Sequence, residues 1–162
     1  MSDRLAIEIN DAQVLQLLET LVDRLENPVP ALHSIGRAWL TNVQLGFRSS
    51  TDPYGRKWKD VLRGGQPLRN TGLLSRSFIS RVDDDGLAVG TNKKYAPTHQ
   101  FGATIHAKNH PFLRFRIGDR WASKQSVTID ARKMLPDEGL PDDWVEDALD
   151  KVAKHLLKGS ER

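Results

Sequence analysis

The chain has 162 residues, 38% of them hydrophobic and 28% charged, with a formal net charge of +3; this fits one domain with room for a core and argues against wholesale disorder. It has no cysteine, which excludes disulfides and thiolate metal sites. No apolar run approaches the about 18–20 residues of a membrane span, and Met1-Ser2-Asp3-Arg4-Leu5 opens no signal-type segment, so the expectation is a cytoplasmic protein with no membrane partner.

In chain order, Leu5, Ile7 and Ile9 alternate with polar residues, which predicts a strand over 4–9. Asn10 or Asp11 then caps a helix whose apolar stripe is Val14, Leu18, Leu21 and Leu25, widened by Leu15, Leu17 and Val22. Asn27-Pro28 stops it. A second helix starts near Pro30, with Leu32, Ile35, Trp39, Val43 and Phe47 on one face. Both helices are amphipathic and are expected to pack on a sheet and on each other. Residues 48–76 are rich in turn formers. Asp52-Pro53-Tyr54-Gly55 reads as a β-turn, with Trp58 anchoring the loop, and Gly64-Gly65-Gln66-Pro67 as a second turn region. Thr71 is placed to cap a helical turn over 72–76.

Two strands, 78–82 and 87–91, flank Asp83-Asp84-Asp85-Gly86 as a hairpin. Residues 95–101 read as a brief helix closed by Gly102. Segments 111–117 and 125–129 are expected to form a second hairpin around Gly118-Asp119. Pro141 then opens a final helix at its first turn, with the stripe Val145, Leu149, Val152 and Leu156, acidic early, basic late and ended by Gly159. The fold class is α+β: an antiparallel sheet of hairpins packed against two N-terminal helices and one C-terminal helix.

Charge is unevenly spread. Residues 1–47 hold 3 Lys/Arg against 6 Asp/Glu, residues 48–133 hold 17 against 7, and residues 134–162 hold 4 against 8. A basic middle between acidic ends attracts polyanions or mates with the acidic part of another copy; the plainer reading is solvated surface. Arg56, Lys57, Lys59, Arg63 and Arg69, interleaved with Tyr54 and Trp58, form one basic stretch for DNA or interface contact. Arg114, Arg116, Arg120, Lys124, Arg132 and Lys133 around Trp121 form another. No helix-turn-helix, zinc-finger or RNP pattern accompanies them, so nonspecific contact is the strongest nucleic-acid reading.

Little supports catalysis. His106 and His110 stand four apart, with His99 nearby, but Pro111 and the turn-like Lys108-Asn109 speak against the helix a zinc pair needs. The plainer reading packs His99 in a short helix and leaves His106 and His110 in an exposed loop. Asp83-Asp84-Asp85 lacks calcium-loop spacing and reads as a solvated tip. Gly64-Gly65 lacks the Gly-Lys-Ser/Thr of a phosphate loop, and no nucleophile elbow is present. No cofactor is expected.

Several segments carry a resemblance. They are, in order, the helix ending in Phe47; Asp52-Pro53-Tyr54-Gly55-Arg56-Lys57-Trp58; Leu68-Arg69-Asn70-Thr71-Gly72-Leu73-Leu74-Ser75-Arg76-Ser77; Val89-Gly90-Thr91; Tyr95-Ala96-Pro97-Thr98-His99-Gln100-Phe101-Gly102; and 127–136 before the last helix. The ordered set resembles the phage virion morphogenesis proteins, the tail-completion group of Mu-like phages and prophages, over nearly the whole chain. One departure is Asp130-Ala131-Arg132-Lys133-Met134-Leu135, where that family usually has Pro-Ala-Arg-Pro-Phe-Leu; losing both prolines questions the rigidity of that turn.

The resemblance implies a non-enzymatic structural protein that completes the tail and helps join it to the head. It implies a ring at the neck or tail terminus, six-fold to match a tail tube. The implied partners are other copies, the tail tube or terminator, and head–neck connector proteins, first in the host cytoplasm and then in the virion. Its landmark residues here are Asp52, Pro53, Gly55, Trp58, Thr71, Gly72, Leu73, Tyr95, His99, Gln100, Gly102 and Arg132. Physically, these fix turns, anchor loops through Trp58 and Tyr95, and satisfy buried backbone groups through His99 and Gln100.

Overall fold

The computed structural model describes residues 12–62, 64–117 and 120–158. The strand expected over 4–9, the cap at Asn10 or Asp11, Arg63, the Gly118-Asp119 turn and Gly159 lie outside the described residues.

Helix α1 (Ala12–Glu26) leads through Asn27-Pro28 into α2 (Val29–Ser49). Pro30 sits in the first turn of α2, where a missing N–H leaves no bond unmade. Ser50 ends α2 in the left-handed conformation at φ 58°. Of the expected stripe, Ile35, Val43 and Phe47 are buried, and Leu32 and Trp39 are half-buried. After the turn region and a 3₁₀ turn (Ser75–Ser77), β1 (Phe78–Asp83) and β2 (Gly86–Thr91) pair antiparallel from Phe78–Thr91 to Asp83–Gly86. The hairpin therefore forms as expected, with Asp84 and Asp85 at its exposed tip. α2 lies directly on this ribbon. At Gly36 the approach is so close that a Cβ would stand 2.9 Å from Leu87 Cδ1 and from Ser80 Cβ.

A short helix, α3 (Ala96–Phe101), precedes β3 (Ala103–His106). Then come β4 (Leu113–Ile117), β5 (Arg120–Lys124), β6 (Ser126–Ile129) and α4 (Asp142–Leu157). The second hairpin differs from expectation. β4 pairs with β5, from Leu113–Lys124 to Ile117–Arg120, while β6 pairs with β3, from Ala103–Ile129 to His106–Ser126. Segment 125–129 thus returns to β3, and His106 ends a strand instead of lying in a loop. Among the described residues, the antiparallel structure comes as three two-stranded ribbons, not one sheet. The ribbons β3–β6 and β4–β5 follow one another as an arm, and β4–β5 makes little contact with any other element.

The core gathers Val43, Phe47, Trp58, Leu74, Phe78, Ala96, Met134 and Trp144. Phe47 is 1% exposed, with ring centroids 5.6 Å from Trp58 and 5.8 Å from Phe78. Burying such a side chain contributes roughly 1.5–3 kcal/mol. Helix α4 joins through Trp144, whose ring lies 6.0 Å from that of Trp39.

Two expectations about helices are corrected. Pro141 stands one residue before α4, in an extended conformation at ψ 148°, not inside its first turn. The stripe expected to be buried turns outward at Val145, Leu149 and Val152, because Trp144 sets the buried face. α1 packs chiefly on α4 and not on α2. There Arg24 Nη1 donates to Leu156 O at 2.5 Å, and His155 Nε2 lies 3.1 Å from Asn27 O. Val14, Leu15, Leu18, Val22 and Leu25 of α1 are left exposed. Among the described residues, no helix is long and apolar enough to cross a membrane.

Candidate functional site

Several of the landmark residues tie loops to the segment 130–139 that leads into α4. The Asp52 turn comes first. Asp52 is buried, and its Oδ1 accepts from Tyr54 N at 2.9 Å and Arg56 N at 2.8 Å. Its Oδ2 accepts from Arg56 Nε at 2.6 Å. Pro53 occupies the turn, and Gly55 takes φ +81°, which a side chain would oppose. Trp58, 7% exposed, donates its indole Nε1–H to Lys133 O at 3.0 Å. Tyr54 is a member that sequence reasoning missed. Its phenol oxygen accepts from Asp137 N and Glu138 N at 3.1 and 2.8 Å and donates to Gly139 O at 2.9 Å. Nothing in the order of residues signals that bond set, because its partners are backbone atoms more than eighty positions away.

From the other side come Gln100 and Arg132. The buried Gln100 amide accepts from Met134 N at 2.8 Å and Leu135 N at 3.1 Å, and donates to Leu135 O at 2.7 Å. Buried Arg132 donates from Nε to Lys59 O at 3.0 Å and from Nη2 to Asp60 O at 3.2 Å, and its own N–H donates to His99 O at 2.7 Å. The segment that lacks both family prolines is therefore held by side chains spanning to distant backbone, which fixes it without ring constraint. Gly102 (φ +72°) lets α3 turn into β3 against this segment; a Cβ there would lie 3.0 Å from both Ile129 O and Ala131 N.

Thr71, Gly72, Leu73, Tyr95, His99 and Arg132 line one open pocket of about 270 Å³. Thr71 Oγ1 accepts from Leu73 N at 3.4 Å, and Gly72 has φ +72°. Tyr95 is 45% exposed and meets His99 edge-on, centroids 6.1 Å apart, so it anchors less firmly than Trp58. The His99 ring does not share the role of Gln100: its Nδ1 is buried and finds no hydrogen-bond partner. Burial first, and Arg132 second, lower its pKa from the ordinary 6.5. A second, larger open groove is lined by Gly46, Asp52, Tyr54, Trp58, Leu140 and Trp144 among others.

The first basic stretch is largely engaged within the chain. Arg56 pairs with Asp52 and with Glu138 (3.6 Å), and its guanidinium lies 4.9 Å over the Tyr54 ring. Lys59 pairs with Asp130 at 2.9 Å, which lowers the Asp130 pKa. Lys57 donates to Ser49 O at 2.9 Å and Arg69 to Gln66 Oε1 at 3.0 Å. The second basic set is divided: Arg114, Arg116, Arg120 and Lys124 sit on the β4–β5 ribbon with Trp121, whereas Arg132 is buried and Lys133 pairs with Asp137 and Glu138. Among the described residues, no three His, Cys, Asp or Glu side chains gather to hold a metal ion.

Residues 9–157 match the phage virion morphogenesis family. Over 97 residues, covering 59% of this chain and 69% of its relative, the sequence is 36% identical to Mu-like prophage FluMu G protein 2 of Haemophilus influenzae. No solved structure matches. A family match over nearly all of the chain, an α+β architecture and motif residues that hold loops in shape agree with one another, and the chain belongs to the phage virion morphogenesis family.

Proposed function

We propose that the protein completes the phage tail and helps join it to the head, as a six-fold ring at the neck or tail terminus, without catalysing a reaction. The observation that carries this reading is the use of the landmark side chains. Trp58, Gln100 and Arg132 direct their polar groups at backbone, and Asp52 divides its two oxygens between backbone N–H groups and the Arg56 side chain. Such groups specify a shape for docking, and they are consumed in doing so. Its partners on this reading are other copies of itself, the tail tube or terminator, and the head–neck connector proteins, met in the host cytoplasm and kept in the virion. Electron microscopy of particles made without the protein tests the role. Separate heads and tails are expected, and normal infectious particles would reject it. Ring assembly should also weaken as salt is raised, since exposed charge pairs are screened.

A second reading, contact with DNA along a genome channel, is favoured by the excess of basic residues in 48–133. Reversing Arg56, Lys57 and Lys59 to Glu should abolish a salt-dependent mobility shift on this reading. The internal ion pairs of Arg56 and Lys59 weigh against it.

A further inference from the structure

Two exposed surfaces of this chain complement each other, although Asp147 and Asp150 on one of them already pair with Lys151 and Lys154 of their own helix. The first is the face of α1 and α4. Around their junction Leu25 is 64% exposed and Leu149 64%, with Leu18, Val22 and Val152 also in solvent. These two helices carry eight carboxylates against three Lys/Arg. The second surface is the tip of the arm. Residues 113–124 carry four Lys/Arg against one carboxylate. Trp121 is 68% exposed there, with the Arg114 guanidinium 5.7 Å over its ring. Trp and Arg together are the residue types that most often anchor protein interfaces, and an apolar face rimmed with charge of the opposite sign is what such an anchor requires.

We propose that the β4–β5 tip of one copy docks on the α1–α4 face of the next, Trp121 entering the apolar strip and Arg114 and Lys124 meeting its acidic rim. This rests on the ring reading above and gives that ring its contact. Two different patches on each copy make a head-to-tail interface, which closes when repeated around an axis. A second copy is favoured over nucleic acid because the helical face is acidic and apolar, and it would be left unpartnered if the arm were spent on phosphates.

Paired charge reversal is the test. One variant carries Arg114→Glu and Lys124→Glu; another carries Glu146→Lys and Asp150→Lys. All four side chains are exposed, so the fold should survive, and circular dichroism checks it. Each variant alone should associate at least about tenfold more weakly than the unaltered chain, because like charges then meet where Arg114 and Lys124 are to face Glu146 and Asp150. Mixed one to one, they should recover association, since the substituted positions again pair opposite charges across every contact. Sedimentation across a concentration series reads both. Failure of the mixture to recover overturns the proposal. Either variant assembling as strongly as the unaltered chain places the ring contact elsewhere and overturns it too, leaving the ring itself standing. An unaltered chain that stays monomeric at every concentration overturns both, as does an arm that binds DNA while copies ignore one another.

Discussion

Replacing Gln100 with Leu would remove one side chain that serves three backbone groups. The substitution keeps volume close to native but strips partners from Met134 N, Leu135 N and Leu135 O, now bonded at 2.8, 3.1 and 2.7 Å. A buried polar group left without a partner costs about 1–3 kcal/mol. The bond to Met134 N is fully buried, while the two at Leu135 are partly so, and water will recover part of their loss. Burial of the new methyl groups returns roughly 1 kcal/mol. The expected net loss is about 2–4 kcal/mol, which for a chain of this size lowers Tm by roughly 5–15 °C. Urea denaturation of Gln100→Leu beside Gln125→Leu, an exposed control, measures it through the midpoint at constant slope. Faster hydrogen exchange at the Met134 and Leu135 amides should accompany the loss. A midpoint within about 0.5 kcal/mol of the unaltered chain would refute the idea that Gln100 clamps the segment before α4.

Trp58→Phe keeps an aromatic ring against Phe47 but leaves Lys133 O without its donor, so a loss of about 1.5–3 kcal/mol is expected in the same denaturation assay. Gly102→Ala forces a side chain at φ +72° with its Cβ against two backbone atoms that cannot rotate away; about 2–4 kcal/mol should be lost, visible as a lowered Tm. His99 has a folded-state pKa below its ordinary value, so the unfolded chain binds its proton first as pH falls. Stability should therefore decline as pH drops from 7.5 toward 5.5, and His99→Gln should flatten that decline when midpoints are compared across the series.

Much of the fold follows from pattern. The stripe ending in Phe47 marks α2 because it repeats at helical spacing, and alternation around the aspartate turn marks β1–β2. The arm escaped the same logic. Arg120-Trp121-Ala122-Ser123-Lys124 alternates nothing, since every position of β5 but Ala122 is exposed, and a strand without a buried face leaves no period to detect. In α4 the stripe Val145, Leu149 and Val152 is real, but periodicity reports that a face is apolar and not what covers it. The buried position is instead Trp144, next to the stripe. At the site, Asp52, Trp58, Gln100 and Arg132 stand in motifs that set them apart, whereas Tyr54 gains its importance from atoms at 137–139 that only the folded chain brings near.

A lone two-stranded ribbon is marginal in water, and the β4–β5 ribbon makes little contact with other elements. In the free chain its amides should exchange with solvent far sooner than those of α2. If the arm docks as proposed, its ordering would be completed when a neighbour is met, and part of what is conventionally subunit stability would be deferred to the particle. The lysine and arginine side chains along the same ribbon also discourage edge-to-edge pairing between arms of stray copies, so that the proposed docking on a helical face would not have to compete with it.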